Sequence, residues 1–582
     1  ENKFSGLIAT EIGSISGLQE LHMGSNNFSK DIPESLVGLS NLTFLDLSGN
    51  GFGGDIQDIF GEFKQVRFLV LHGNSYTGGL YTSGILGLSN IYRLDLSYNS
   101  LSGSLPIEVS QIMSLRYLIL AYNQFTGQIP SEYGNFQAIQ FLDLSFNMLN
   151  GSIPSSLGKL SSLLWLTLAD NQLSGEIPPE LGNCSSLLWL NLANNQLSGT
   201  IPPQLTTIGA NPMPTFLFNR QNTKITAGLG ECLPMRRWIP ADYAPFSFVF
   251  NLLNRKNCRN LWDKLHTGYG LFQVCVPGSN VRTSDISGYL QLASNQLSGE
   301  VPPDIGNMRN FSMLHLGFNQ FYGKLPSEIA LMGLVVLNIT RNNFSGEIPT
   351  EIGNIKCMQN LDLSYNNFSG TFPASFNKLS DLSKFNVSYN PYIAGVIPAT
   401  GQLATFEKWS FLGDPLLRLP PFIDNSTGGG QGTKSESAKK PKKLGAFLVF
   451  LALLLAFLLC GVMTLIVCLM IKSPTDLPGY LLAESKGMHE LVSTSSSSSP
   501  WLSDRVMVIR LDKTAFTHAD ILQATSNFSN DRIIGRGGSG IVYGGVLPNG
   551  TEAAIKKLQR EGVEGERGFQ AGVGGWSGNG FG

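Results

Sequence analysis

The sequence predicts an α/β solenoid of stacked parallel strands, continued by one membrane-spanning helix and a short third region built around a glycine-rich loop. Three observations carry this. A Leu-x-Leu-x-x-Asn segment recurs at a period of about 24 residues, Leu444–Ile471 is a run of 28 residues without a charge, and Gly535–Val542 reads Gly-x-Gly-x-x-Gly-x-Val with a lysine downstream. The bulk composition agrees. The 582 residues hold 65 glycines, only 14% charged residues and a net charge of −2, which suits a turn-rich repeat protein and gives no reason to expect a nucleic-acid partner.

The repeat comes first because it fixes the whole fold. Its asparagine falls at Asn50, Asn74, Asn99, Asn123, Asn147, Asn171 and Asn195, then again at Asn295, Asn319, Asn342, Asn366 and Asn390. Asn26 opens the series, with Met23 in place of the second leucine. Many units add a tail of the type Leu-Ser-Gly-x-Ile-Pro, as in Leu173–Pro178. Side chains alternate along a strand, so the two leucines face one side together. The Asn can bond the backbone of the following turn, and Gly and Pro turn the chain back along the outer face. One such unit cannot bury its own leucines, so stability comes from stacking. These units resemble the plant-specific class of leucine-rich repeats, over about Glu1–Phe411. The array divides into repeats at 1–205 and repeats with a C-terminal cap at 287–411. Asn2-Lys3-Phe4-Ser5-Gly6 already looks like the tail of a repeat, so the true N-terminus is expected to lie upstream.

Between Asn195 and Asn295 lie 100 residues where one repeat needs 24. The extra stretch, 206–286, is rich in aromatics, including Phe216, Phe246, Trp262 and Phe272. Insertions of this length are functional or disordered, and the aromatic content argues for a folded island. Its three cysteines, Cys232, Cys258 and Cys275, allow one disulfide and one spare thiol in any pairing. An island at this place resembles the insertions of brassinosteroid and peptide-hormone receptors, which implies a subdomain folded on the inner face that helps bind ligand.

The residue before the first leucine of each Leu-x-Leu points away from the core, onto the concave surface. That column reads Phe44, Phe68, Arg93, Tyr117, Phe141, Trp165, Trp189 and Tyr289, then turns to Met313, Val336, Asn360 and Lys384. Exposed aromatic patches mark binding surfaces. Tyr117, Phe141, Trp165, Trp189 and Tyr289 are therefore the ligand-binding candidates; aromatics that merely stack on one another are the alternative. Asn338 and Asn386, in the next column two positions further along, are expected to project from the same face and carry glycans that shield the C-terminal repeats.

A helical span needs about 20 residues, and Leu444–Ile471 exceeds that. Linkers at 412–443 and 472–515 flank it. The lysine cluster Lys439, Lys440, Lys442 and Lys443 precedes the span, opposite to the positive-inside rule. A long ectodomain translocates regardless of flank charge, so the repeats are expected outside the plasma membrane. Asn-x-Ser/Thr sequons at Asn27, Asn41, Asn150, Asn183, Asn310, Asn338, Asn343, Asn367, Asn386 and Asn425 all precede the span and are the glycosylation candidates.

After the span, Phe516–Leu522 and Ala524–Ser529 look like the lead-in of plant receptor-like kinases. The residues expected to hold ATP are Ile534, Gly535, Gly537, Gly538, Gly540, Val542 and Lys556. Glycines let backbone N–H groups reach phosphate oxygens, and the lysine supplies charge. The resemblance implies a truncated kinase N-lobe at 516–582, with ATP and Mg as cofactors of the intact protein. It departs from the family after Phe569-Gln570-Ala571, where a Gly-rich stretch replaces the acid-bearing helix. No catalytic-loop Asp, metal-binding Asp-Phe-Gly or other catalytic residue follows, so no phosphoryl transfer is expected of these residues alone. Over nearly its whole length the chain resembles a plant leucine-rich-repeat receptor-like Ser/Thr kinase with an island, of the nematode-induced kind. That implies a ligand (peptide, steroid or other small molecule) and a co-receptor kinase. A kinase-less decoy receptor and a secreted repeat inhibitor are the alternatives.

Overall fold

The computed structural model describes residues 2–29, 31–222, 239–243, 246–252, 258–276, 281–420, 523–526, 529–537, 540–546 and 552–558. The span expected at 444–471, with 421–443 and 472–515 on either side, lies outside them. No helix of the described residues is long and apolar enough to cross a membrane.

Each Leu-x-Leu forms a short strand. Among the described residues, 13 of these strands, from Glu20–His22 to Lys384–Asn386, join into one parallel sheet. Leu142 and Leu144 are typical of the inward leucines and are fully buried. Further strands such as Gln124–Gln128, Met148–Gly151 and Gln172–Glu176 pair along the flank, in sheets of five and six strands.

The outer side differs from the α/β expectation. Within the repeats it is built of five-residue 3-10 helices such as Ser155–Lys159 and Pro179–Asn183. The reason is space. Pro154 and Pro178 enter these turns in extended conformation, and a glycine then lies against the next turn's backbone. A Cβ on Gly158 would meet the Glu180 carbonyl oxygen at 2.2 Å, and one on Gly182 the Gln204 oxygen at 2.1 Å. Turns stacked this closely admit the tighter 3-10 coil and exclude the wider α-helix. Among the described repeat residues no α-helix occurs, whereas the insertion holds three.

The asparagines form the expected ladder. Asn171 Nδ2 donates to the Leu144 and Leu168 carbonyls at 3.0 and 3.1 Å, and its Oδ1 accepts from Leu149 N at 3.0 Å. Each Asn thus ties its own repeat to the previous one. The residue before it is held at positive φ, as at Tyr122, Phe146 and Tyr365 (φ 54 to 56°). Left-handed backbone of this kind costs about 1–2 kcal/mol at a non-glycine residue, which the ladder bonds offset.

The insertion leaves this register intact. Trp189–Asn191 pairs with Tyr289–Gln291 as adjacent repeats do, and Leu197 N donates to Asn295 Oδ1 at 3.0 Å across 98 residues. The island holds helices α1 (Met213–Gln221), α2 (Phe246–Leu252) and α3 (Cys258–His266), then an antiparallel hairpin of Tyr269–Cys275 and Arg282–Asp285. Its cysteine chemistry corrects the expectation of a bridge inside the island. Cys275 is joined to Cys357 of the solenoid, 82 residues on, with Cα atoms 5.7 Å apart. Cys232 and the Cys258 side chain lie outside the described residues.

The solenoid also continues past Phe411, through the residues assigned to a linker from 412. Gly413 (φ 76°) and Asp414 stand one period after Tyr389 and Asn390. Asp414 Oδ1 accepts from Asn390 N at 2.6 Å, and Leu417–Arg418 pairs with Gly395–Val396. An aspartate therefore ends the asparagine ladder.

Two predictions follow from these ends and ties. Burial pushes the Asp414 carboxyl up to about 7, against an ordinary value near 3.9. The folded state then holds this proton more tightly than the unfolded chain, and the group's contribution to stability falls as pH rises from about 4 to about 7. Asp414→Asn removes the titration. Thermal melts should show the variant gaining on the wild type between pH 4.5 and 7.5; a difference that does not change with pH contradicts this. For the disulfide, a loop of this length constrains the unfolded chain by about 4 kcal/mol. Cys357→Ser should accelerate tryptic cleavage after Arg282 by roughly tenfold or more, since opening of the hairpin limits it. An unchanged rate would show that packing alone holds the hairpin down.

Candidate functional site: the seam between island and concave face

The aromatic column stacks along the sheet. Ring centroids lie 4.7 Å apart for Tyr117–Phe141, 4.3 Å for Phe141–Trp165 and 3.3 Å for Trp165–Trp189. Strand register forces this, because the five candidates occupy equivalent positions on neighbouring strands. They are not an open surface, as the sequence suggested. All five are buried, Tyr117, Trp165, Trp189 and Tyr289 at no more than 4% exposure and Phe141 at 0%. The island roofs them, as expected of a subdomain folded on the inner face.

Trp262 of α3 lies over the column, 5.1 Å from Phe141 and 6.0 Å from Tyr117 between ring centroids. One turn on, His266 Nε2 is hydrogen-bonded to the Tyr117 hydroxyl. Burial, aided by the nearby Arg116 charge, lowers the imidazole to about 3, so this histidine is neutral. Helix α1 adds polar pins. Asn219 and Gln140 exchange amide hydrogen bonds at 2.9 and 3.2 Å, Asn219 Nδ2 also donates to the His266 carbonyl at 2.9 Å, and the Ser186 and Thr215 hydroxyls are bonded at 2.9 Å. The Arg116 guanidinium sits 4.3 Å over the Phe218 ring. Gly268 (φ 82°) turns the chain from α3 into the hairpin where a Cβ would strike the Phe216 ring at 2.6 Å.

The island reaches the C-terminal repeats as well. The Tyr243 hydroxyl lies 3.3 Å from His315 Nδ1 and accepts from Asn338 Nδ2 at 2.9 Å. Burial lowers His315 to about 4. Lys384 Nζ donates to the Asp242 carbonyl at 3.0 Å, and Arg282 pairs with Asp381 at 2.6 Å. Asn338 was expected to project freely with a glycan. Instead it is buried beneath Tyr243, because the island lies over the concave face there. Asn386 is half-buried; Asn27, Asn41, Asn150, Asn183, Asn310, Asn343 and Asn367 are exposed, and Asn425 lies outside the described residues.

Between island and column runs a narrow apolar cleft lined by Trp165, Trp189, Phe246, Phe272, Ile286 and Tyr289, with about 20 Å³ of open space. That is room for one water-sized group. Three of the five candidates thus face a cleft, while Tyr117 and Phe141 form the bed for Trp262. The aromatic island residues were visible in the sequence. The polar pins Asn219, Gln140 and His315 were not, since no motif or period marks them.

The glycine-rich segment forms strands. Ile533–Gly537 and Gly540–Val546 pair antiparallel with Gly537 opposite Gly540, and Glu552–Leu558 completes a three-stranded sheet. Ile534, Gly535, Gly537, Gly540, Val542 and Lys556 therefore lie on strands of this sheet; Gly538 lies outside the described residues.

Comparison with known proteins accords with this geometry. The Leucine Rich Repeat family profile matches residues 17–39, 41–63, 90–112, 114–136, 138–160, 162–184, 186–208, 333–355 and 357–379, leaving the island out. The chain is 60% identical over 383 residues to a probable LRR receptor-like serine/threonine-protein kinase of Arabidopsis thaliana, covering 65% of this chain and 34% of that protein. It is 31% identical over 182 residues to BRASSINOSTEROID INSENSITIVE 1 of the same plant, covering 29% of this chain and 15% of that one. Among solved structures, the plant peptide hormone receptor RGFR1 in complex with RGF2 matches with a TM-score of 0.52 and 27% identity, over 72% of this chain and 59% of that one. The chain spans about a third of the length of the first of these relatives. With the parallel-sheet solenoid and its repeat signature, this places the chain in the leucine-rich-repeat receptor-like kinase family of plants.

Proposed function

We propose that the chain is the sensing part of a single-pass plasma-membrane receptor, whose extracellular repeats take a ligand at the island seam and signal through a cytosolic Ser/Thr kinase domain. One observation carries the ligand site. The island is pinned to the concave face by Cys275–Cys357 and by packing on the aromatic column, which leaves a preformed apolar cleft at the seam. Rigid aromatic walls favour binding because little side-chain entropy is lost. The cleft is too small for a whole hormone as it stands. A ligand therefore lies along the seam and inserts an apolar branch, or it enters as the island lifts. That the similar receptor RGFR1 is solved in complex with RGF2 supports a ligand for the repeats, and a co-receptor kinase is the expected partner of the liganded form.

In the intact kinase, ATP would lie against the glycine-rich strands near Gly537 and Gly540, where residues without side chains suit phosphate. Gly535, Gly537 and Gly540 carry no side chain to keep phosphate oxygens from the backbone, Ile534 and Val542 flank them in sequence, and Lys556 stands on the third strand of the sheet. Mg²⁺ would neutralise phosphate charge there, held by residues beyond this glycine-rich region. The alanine at Lys556→Ala should abolish autophosphorylation of the full-length kinase while leaving its surface level unchanged.

The seam is tested with plant extracellular fluid divided into a lipid-soluble and a peptide fraction. A fraction that raises the melting temperature of the wild-type chain should bind Trp189→Ala and Phe272→Ala about 5- to 100-fold more weakly. A shift retained in both variants would place the ligand elsewhere.

A further inference from the structure

The island is held at two ends, and each end closes on a histidine. At the central repeats, His266 of the island meets Tyr117 of the solenoid. At the C-terminal repeats the roles are exchanged, and His315 of the solenoid meets Tyr243 of the island. Both rings are enclosed by the seam itself. His266 lies against Tyr117, Phe141 and Trp262, and its Nδ1 has no hydrogen-bond partner among the described residues. His315 stacks edge-on to Tyr243, beside Asn338 on the next strand.

The charges around each ring decide what a proton would do. Facing His266 are the Tyr117 hydroxyl, which can satisfy only one ring nitrogen, and Arg116, the residue just before that strand, which repels an imidazolium. Asp263 and Lys264 stand on its own helix, of opposite sign to each other. Facing His315 are Tyr243 and Asn338, with Asp242 and Lys384 at the edge of the contact. Asp362 lies two strands along; burial raises its carboxyl, and Ser364 occupies Oδ1 at 2.6 Å. Neither ring has a carboxylate hydrogen-bonded to it among the described residues. A buried imidazolium without such a partner is expelled to water.

We propose that His266 and His315 are paired acid-sensitive latches, which hold the island on the concave face when neutral and release it when protonated. The sign is fixed by linkage. Both rings titrate lower when closed, at about 3 and about 4, than the ordinary value near 6.5. Closure is therefore fully favoured above that value and weakens as pH falls below it. Between pH 7.5 and pH 5.0 the closed state loses roughly 30-fold per histidine relative to the open one. Acid thus unroofs the aromatic column and alkalinisation restores it, a device that works whether or not the cleft takes a ligand.

Hydrogen–deuterium exchange on the full chain in detergent micelles tests this, with labelling times scaled to equal intrinsic exchange at each pH. The readout is protection of α3 and of segment 239–243, with the Phe44–Asp46 strand as reference. For the wild type, the logarithm of island protection should fall with decreasing pH below 6.5, approaching a slope of two protons. His266→Gln and His315→Gln, which stay neutral, should each remove about one proton from that slope. A wild-type slope below one proton overturns the proposal, as does a slope unchanged in both variants. Should a variant fail to fold, the wild-type slope alone decides.

Discussion

Every turn of the solenoid depends on an asparagine amide whose hydrogens and oxygen all go to backbone. Asn147 shows the pattern, with Nδ2 donating to Leu120, Leu144 and Ser145 carbonyls and Oδ1 accepting from Phe125 N. The Leu120 and Leu144 carbonyls lie just past the ends of their strands, and buried backbone groups without partners are costly. One amide per repeat therefore sets the rise between repeats. That rise brings the outer turns close enough to demand glycine, and it stacks the concave side chains in columns. Because Asn295 accepts from Leu197 N and donates to the Leu192 carbonyl across the insertion, as neighbouring repeats do, the island can be added without disturbing the array.

The columns then decide where the island goes. A stack from Tyr117 to Trp189 presents a continuous apolar strip, and burying it beneath Trp262 and Phe246 removes that area from water. Apolar packing alone has no direction. The reciprocal amides of Asn219 and Gln140, the Tyr–His contacts and the Cys275–Cys357 bridge fix one placement. The seam that results is part core and part cleft, which is why three of the candidate aromatics line open space and two do not.

Much of this was legible in the sequence. Period, leucine direction and ladder asparagines follow from local alternation and from one repeating hydrogen-bond pattern. The existence of a folded island followed from its aromatic content, and the aromatic column from register. What failed were inferences that need distant contacts. Column aromatics read as exposed because a strand's outward direction says nothing about a roof supplied 100 residues later. Asn338 read as a glycan site for the same reason. Cys275 has its partner 82 residues on, in a repeat that otherwise looks ordinary, and three island cysteines could not suggest it. The 3-10 turns were missed because the proximity of neighbouring backbones is a property of the stack.

The central claim is that the island is a roof over the concave face, tethered covalently to the repeats below it. Peptide mapping of the unreduced chain by mass spectrometry tests this most directly. The account predicts a cross-linked pair of peptides carrying Cys275 and Cys357. Recovery of Cys275 bound to Cys232 or Cys258, with Cys357 as a free thiol, would contradict it.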